Sequence, residues 1–162
     1  MHKTIIFVMG VSGTGKTTIG KLLAEALKVS FYDGDDYHPK ENIEKMAAGK
    51  PLNDTDRYGW LAALNNLGQE NKIDGAVIAC SALKAKYRAQ LRETIEEETV
   101  FVYLEGSYDQ IKSRLDSRDN HFMTSTLLKS QFSTLEPPKT AITVPITNSP
   151  EQIINTILNQ LE

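Results

Sequence analysis

A glycine-rich run near the start of the chain carries the residues best suited to chemistry. It fits the pattern G-x-x-x-x-G-K-[ST] and lies between a predicted strand and a predicted helix, which argues against a chance glycine turn. Such a loop presents backbone N–H groups at a helix N-terminus, and its glycines let the backbone approach phosphates closely. The pattern therefore predicts ATP contacts at Gly10, Val11, Ser12, Gly13, Thr14, Gly15, Lys16, Thr17 and Thr18, with Lys16 catalytic and Thr17 a Mg²⁺ ligand.

Two aspartates, Asp33 and Asp35, lie one residue apart at the end of the second predicted strand. In an extended segment such side chains point the same way. Beside the phosphate loop, Asp33 is predicted to help hold Mg²⁺ through water, and Asp35 to accept the proton of an attacking hydroxyl. The alternative is an Asp-Gly turn with solvated carboxylates. The third predicted strand ends in Ala79-Cys80-Ser81 without a carboxylate, which argues against a motor protein or a GTPase.

Two arginines, Arg114 and Arg118, are four residues apart and so share a helix face. The stretch that follows, 117–126, is less apolar than the rest of the chain and is typical of a mobile lid. We expect Arg114 to bind ATP and Arg118 to stabilise charge on the transferred phosphate as the lid closes. The alternative is a solvated helix face.

Short apolar runs alternate with helical patterns along the whole chain, which predicts an open parallel α/β sheet with ligands at the carboxyl ends of its strands. The predicted strands are 4–9, 29–32, 76–80, 100–104 and 141–146. The predicted helices are 15–27, 39–48, 54–69, 82–96, 107–117, 124–135 and 150–161.

Composition limits the function classes. The chain has 162 residues, 40% of them hydrophobic and 24% charged, which predicts one globular domain over 1–162. A net charge of −3 argues against nucleic acid as a partner. Cys80 is the only cysteine, which suits a reducing compartment and hence the cytoplasm. No stretch approaches the roughly 20 apolar residues of a membrane helix, so we expect no membrane partner.

Longer strings of residues resemble the gluconate kinases (gluconokinases) nearly end to end. They are far more specific than the phosphate loop alone. The strings are Asp33-Gly-Asp-Asp-Tyr-His38-Pro39, Asn42-Ile-Glu-Lys45-Met46, Gly49-Lys-Pro51-Leu52-Asn-Asp54-Thr-Asp56-Arg57, Trp60-Leu61, Cys80-Ser81-Ala82-Leu83-Lys84, Tyr87-Arg88, Leu91-Arg92, Arg114, Arg118, His121-Phe122-Met123, Ser130-Gln131-Phe132 and Leu135-Glu136-Pro137.

This resemblance implies a P-loop NTPase fold of the nucleoside-monophosphate-kinase type, with a five-stranded parallel sheet flanked by helices and covered by a lid. It implies that the γ-phosphate of ATP, with Mg²⁺, is transferred to the terminal hydroxyl of D-gluconate to give 6-phospho-D-gluconate. It also implies an acceptor-binding insertion at about 36–70, and it makes a homodimer possible.

A polyol acid needs a cation for its carboxylate and mixed donors and acceptors for its hydroxyls. The available cations are Arg57, Lys84 and Arg88, and the candidates for the hydroxyls are His38, Ser81 and Asp35. We favour Arg57, since a planar guanidinium grips a carboxylate with two parallel hydrogen bonds. The alternative for Arg57 is a surface salt bridge to Asp54 or Asp56.

Two rival functions share the phosphate loop. One is a related kinase acting on shikimate or a nucleoside monophosphate. It would have the same fold, so only the substrate-binding strings distinguish it from a gluconate kinase. The other is a non-catalytic ATP-binding regulatory module. The acidic pair beside the phosphate loop argues against that module, since a protein that only binds nucleotide needs no proton acceptor.

Overall fold

The computed structural model describes residues 4–117 and 125–161. In this part of the chain five parallel strands form one sheet in the order β2-β3-β1-β4-β5. They are β1 Ile5–Met9, β2 Ser30–Asp33, β3 Ala76–Ala79, β4 Thr99–Glu105 and β5 Ile142–Pro145. The predicted α/β fold and its parallel sheet are confirmed.

The helices of the described residues connect these strands and flank the sheet. They are α1 Lys16–Leu27, α2 Lys40–Ala47, α3 Asp54–Glu70, α4 Ala85–Leu91, α5 Tyr108–Asp116, α6 Ser125–Thr134 and α7 Pro150–Leu161, and a 3₁₀ turn spans Gly34–Tyr37. Capping boxes begin three of them. Asn53 and Asp56 pair reciprocally at the start of α3, as do Ser107 and Gln110 at the start of α5. At the start of α7 the reciprocal pair is Ser149 and Gln152.

The core lies on both faces of the central strands. Every residue of β1 is at most 2% exposed, as expected for a strand between helical layers. The Phe7 ring stacks on Phe101 of the neighbouring strand, with centroids 5.3 Å apart. This buried centre aligns the carboxyl ends of β1, β2 and β3 along one edge of the sheet.

The structure differs from the sequence-based elements mainly around α4. The predicted helix 82–96 is wrong at both ends, because Ala82 and Thr94 adopt left-handed backbone angles with φ of 47° and 67°. The 3₁₀ turn after β2 was not predicted. The expected lid at 117–126 lies largely outside the described residues, so both the lid and Arg118 stay predictions.

Within the described ranges, the longest apolar stretches of helix fall short of what a membrane crossing needs.

Candidate active site

The phosphate loop connects β1 to α1 and has a backbone that only glycine adopts readily. Gly10 has φ of 147°, and a Cβ atom there would lie 2.9 Å from the Leu104 carbonyl oxygen. Gly15 has φ of 92° at the N-cap of α1. The Gly10 amide donates to the Ser81 carbonyl at 3.2 Å, which ties the loop to the end of β3.

The amides at the start of α1 can bind an anion. From Gly13 to Thr18 no backbone N–H has a hydrogen-bond partner among the described residues. Unpaired N–H groups at a helix N-terminus carry partial positive charge and suit phosphate oxygens. The loop therefore fits the triphosphate for which its sequence pattern is typical.

Lys16 lies over this loop. Its ammonium donates to the carbonyl oxygens of Gly10 and Val11, both at 3.0 Å. Desolvation lowers the pKa of Lys16, and the nearby Asp35 carboxylate opposes that shift. The cation is thus held where phosphate oxygens would meet it, next to the acidic pair at the end of β2.

The two aspartates are linked to each other and to the loop. The Thr17 hydroxyl donates to Asp33 Oδ2 at 3.3 Å, and the other oxygen of Asp33 accepts from the Asp35 amide at 3.0 Å. Thr17 and Asp33 therefore lie together as the Mg²⁺ hypothesis requires. Among the described residues no three acidic, histidine or cysteine side chains cluster as a protein-only metal site would. Such a Mg²⁺ ion would depend on water and phosphate oxygens as well.

Asp35 faces a cavity of about 150 Å³ beside the phosphate loop. Its side chain stays open to that space, yet the surrounding protein desolvates the carboxylate and raises its pKa, while Lys16 opposes the shift. The polar side chains around the cavity are Ser12, Lys16, Asp35, His38, Arg57, Ser81, Ser130 and Gln131. The apolar ones, with Trp60, are Ile43, Met46, Pro51, Leu52, Leu83 and Leu127.

Arg57 enters this cavity from α3 and is only 8% exposed. Its Nη1 donates to the Tyr87 hydroxyl at 3.0 Å, and the guanidinium carbon lies 5.2 Å from the centre of that ring. The alternative of a surface salt bridge is wrong, because Arg57 is buried and forms no ion pair within the described part of the chain. Asp54 pairs instead with Lys84 and Lys86, and Asp56 pairs with Lys45 at 2.6 Å.

His38 also lines this cavity. Its ring stacks on Trp60 with centroids 4.0 Å apart, and Trp60 donates to the Gly34 carbonyl at 2.7 Å. Desolvation and the nearby Arg57 lower the pKa of His38 to about 4. The imidazole is therefore neutral at neutral pH.

Comparison with known proteins settles the family. A sequence profile of the shikimate kinase family matches residues 12–162. The thermoresistant gluconokinase of Escherichia coli (strain K12) is 47% identical over 138 residues, which cover 83% of this chain and 77% of that protein. A crystal structure of a gluconokinase from Sinorhizobium meliloti 1021 is 41% identical, with a TM-score of 0.88 over 98% of this chain and 91% of that one.

The chain belongs to the gluconokinase family. A shikimate kinase structure from Aquifex aeolicus is 20% identical, with a TM-score of 0.69 over 97% of this chain and 95% of that one, and this likeness shows the fold alone. Membership of the gluconokinase family makes the chain a kinase and implies ATP as the phosphoryl donor.

The other predicted cations of this gluconokinase-family chain have partners elsewhere. Arg88 donates to the carbonyl oxygens of Ala82 and Glu136, at 2.7 and 2.8 Å. Lys84 pairs with Asp54 at 3.2 Å, and Arg114 donates to the Ile146 carbonyl at 2.8 Å. Within the described part of the chain, the cavity wall includes none of Lys84, Arg88 and Arg114.

Cys80 behaves as a packing residue in this family member. It is 1% exposed, and burial raises its pKa to about 12. A thiol that stays protonated at neutral pH is a poor nucleophile, and phosphoryl transfer needs no covalent step on the protein.

Sequence reasoning missed several residues that shape the site. Gln131 of α6 accepts from the Ser12 amide at 2.7 Å and donates to the Ser12 hydroxyl at 3.1 Å, so it clamps the phosphate loop. Trp60, named only within a family string, lines the cavity and stacks on His38. Tyr87 and Asn42 touch site residues and were singled out only as parts of family strings.

Proposed function

We propose that this chain transfers the γ-phosphate of ATP to the terminal hydroxyl of D-gluconate, giving ADP and 6-phospho-D-gluconate. The observation that carries the proposal is the single cavity that joins Lys16 and Asp35, beside the phosphate loop, to the buried guanidinium of Arg57. A six-carbon acid with a hydroxyl at one end and a carboxylate at the other matches those two ends chemically. The gluconokinases it resembles support the same acceptor.

The residues divide the chemistry between them. Arg57 grips the gluconate carboxylate, and His38 and Ser81 hydrogen-bond its hydroxyls. Asp35 accepts the proton of the terminal hydroxyl as that oxygen attacks the γ-phosphorus, and the bond from the γ-phosphorus to the bridging oxygen of ADP breaks. Lys16 and the loop amides stabilise the negative charge that develops on the phosphate oxygens.

Thr17 and Asp33 are the residues that would hold Mg²⁺, since their oxygens already meet beside the loop. When bound, Mg²⁺ neutralises charge on the phosphate oxygens. We assign ATP binding also to Arg114 and transition-state stabilisation to Arg118. The cytoplasm, where thiols stay reduced, is the proposed site of the reaction. The homodimer stays a prediction that one chain does not test.

Two rival readings are less well supported. A shikimate kinase would also need a cation for a carboxylate, but two relatives at 42% and 47% identity are a probable gluconokinase and a gluconokinase. A regulatory module does not need a carboxylate with a raised pKa beside a lysine in one cavity.

A coupled ADP-release assay separates these readings. The protein is incubated with Mg-ATP and D-gluconate, shikimate or AMP, each against a blank without acceptor. We expect ADP release to depend on gluconate. ADP release only with shikimate or AMP would overturn the substrate assignment. If none of the three acceptors caused ADP release, the regulatory module would be the better interpretation.

A further inference from the structure

The plane of the His38 imidazole is fixed on two sides. One face stacks on Trp60 at an interplanar angle of 16°, and Trp60 is itself held by its hydrogen bond to Gly34. The ring edge at Nδ1 lies 3.2 Å from Nδ2 of Asn42. Which ring nitrogen carries the proton decides whether the cavity meets a donor or an acceptor.

A second contact of Asn42 determines which ring nitrogen of His38 carries the proton. It is 3% exposed, and its Nδ2 donates to the Asp56 carbonyl oxygen at 2.8 Å. A carbonyl oxygen only accepts, so the Asn42 amide must turn its NH₂ group toward Asp56. The same NH₂ group is the one that faces His38, and it can only donate there too.

We infer that Asn42 is a positioning residue that holds His38 in its Nε2–H tautomer, so that this histidine presents a hydrogen-bond donor to the acceptor substrate. Nδ1 then accepts from Asn42. Nε2 has no partner among the described residues. Since no buried polar side-chain atom there lacks a partner, Nε2 is open to the cavity that His38 lines.

Two consequences follow for the reaction, and both rest on the proposed function. An N–H donor binds a lone pair of a substrate oxygen, so His38 recognises a carboxylate or hydroxyl oxygen as an acceptor. Its only lone pair is occupied by Asn42, so His38 cannot take the proton of the attacking hydroxyl. Asp35 is then the general base among the residues that line the cavity. The low pKa of His38 keeps its ring neutral at neutral pH.

The direct test is a long-range ¹H–¹⁵N spectrum of the full-length protein labelled on its histidine rings. The chain has three histidines, and His38→Gln identifies the signals of His38 by their loss. We expect a pyrrole-like Nε2 and a pyridine-like Nδ1. Asn42→Asp should reverse the pattern, because the new carboxylate accepts from Nδ1–H. A wild-type Nδ1–H tautomer, or an unchanged tautomer in Asn42→Asp, would overturn the inference.

Kinetics gives a second readout for variants that fold, judged by Tm. Asn42→Asp should raise KM for gluconate about 3- to 10-fold, the scale of one neutral hydrogen bond, and leave KM for ATP unchanged. His38→Gln, which can place an amide N–H near the Nε2 position, should retain more gluconate affinity than His38→Asn; the reverse order would contradict the inference. If the spectra are as expected but gluconate is not phosphorylated, only the proposed function fails.

Discussion

Arg57 donates to the hydroxyl oxygen of Tyr87, 3.0 Å away, and that hydroxyl donates its single proton to Asp54. The direction of this chain is forced, since a guanidinium only donates and a carboxylate only accepts. Lys86, Tyr87 and Lys84 hold the pKa of Asp54 well below its usual range. Asp54 therefore stays ionised and orients Tyr87, which orients Arg57.

The first prediction concerns this relay. Tyr87→Phe keeps the ring against Arg57 and removes only the hydroxyl, so it should raise KM for gluconate about 3- to 10-fold with little change in kcat. Tyr58→Phe is the matched control, because Tyr58 is 69% exposed on the same helix as Arg57. Equal effects of the two substitutions would remove Tyr87 from this role.

Substituting Arg57 itself should raise KM for gluconate more than Tyr87→Phe does. Removing one partner of a desolvated charge pair costs roughly 2–5 kcal/mol, about 30-fold or more in affinity. Arg57→Lys should raise KM for gluconate on that scale and leave KM for ATP nearly unchanged, because lysine cannot form the two parallel bonds. For a neutral analogue without the carboxylate, KM should differ little between the wild type and Arg57→Lys. A shift below about threefold, the scale of a surface ion pair, would contradict the assignment of the gluconate carboxylate to Arg57.

Lys16 is expected to act on the rate. Lys16→Ala should fold normally and lose roughly 10²- to 10³-fold in kcat, the effect of removing one charge-stabilising donor. Lys21→Ala is the control, since Lys21 is an exposed lysine of the same helix. Near-normal turnover by a folded Lys16→Ala protein would be incompatible with its assigned role.

The pH profile should report Asp35. A base works only when ionised, so kcat should rise with pH through the pKa of Asp35. Desolvation raises that pKa, which places the acid limb above 3.8, the ordinary value for this side chain. Asp35→Asn should lower kcat far more than it affects ATP binding, and its residual rate should lack this limb. The control is Asp36→Asn at the next residue, which should keep the acid limb of the pH profile. Persistence of the limb in Asp35→Asn would assign it to another group.

The parts of this site that the sequence predicted are local in the chain. The phosphate loop is one continuous pattern, and the acidic pair follows a strand whose end had to lie beside it in a parallel sheet. The residues it missed act across long separations. Tyr87 meets Arg57 from 30 positions away and Gln131 meets Ser12 from 119. A buried tryptophan such as Trp60 has the same sequence pattern whether it packs a core or supports a histidine.

A crystal structure with a non-hydrolysable ATP analogue, Mg²⁺ and D-gluconate tests the central claim most directly. We predict that the gluconate carboxylate pairs with the Arg57 guanidinium, and that the terminal hydroxyl oxygen lies within hydrogen-bonding distance of Asp35 and in line with the γ-phosphate. Gluconate bound with its carboxylate on Lys84 or Arg88, or with its terminal hydroxyl away from Asp35, would contradict the account.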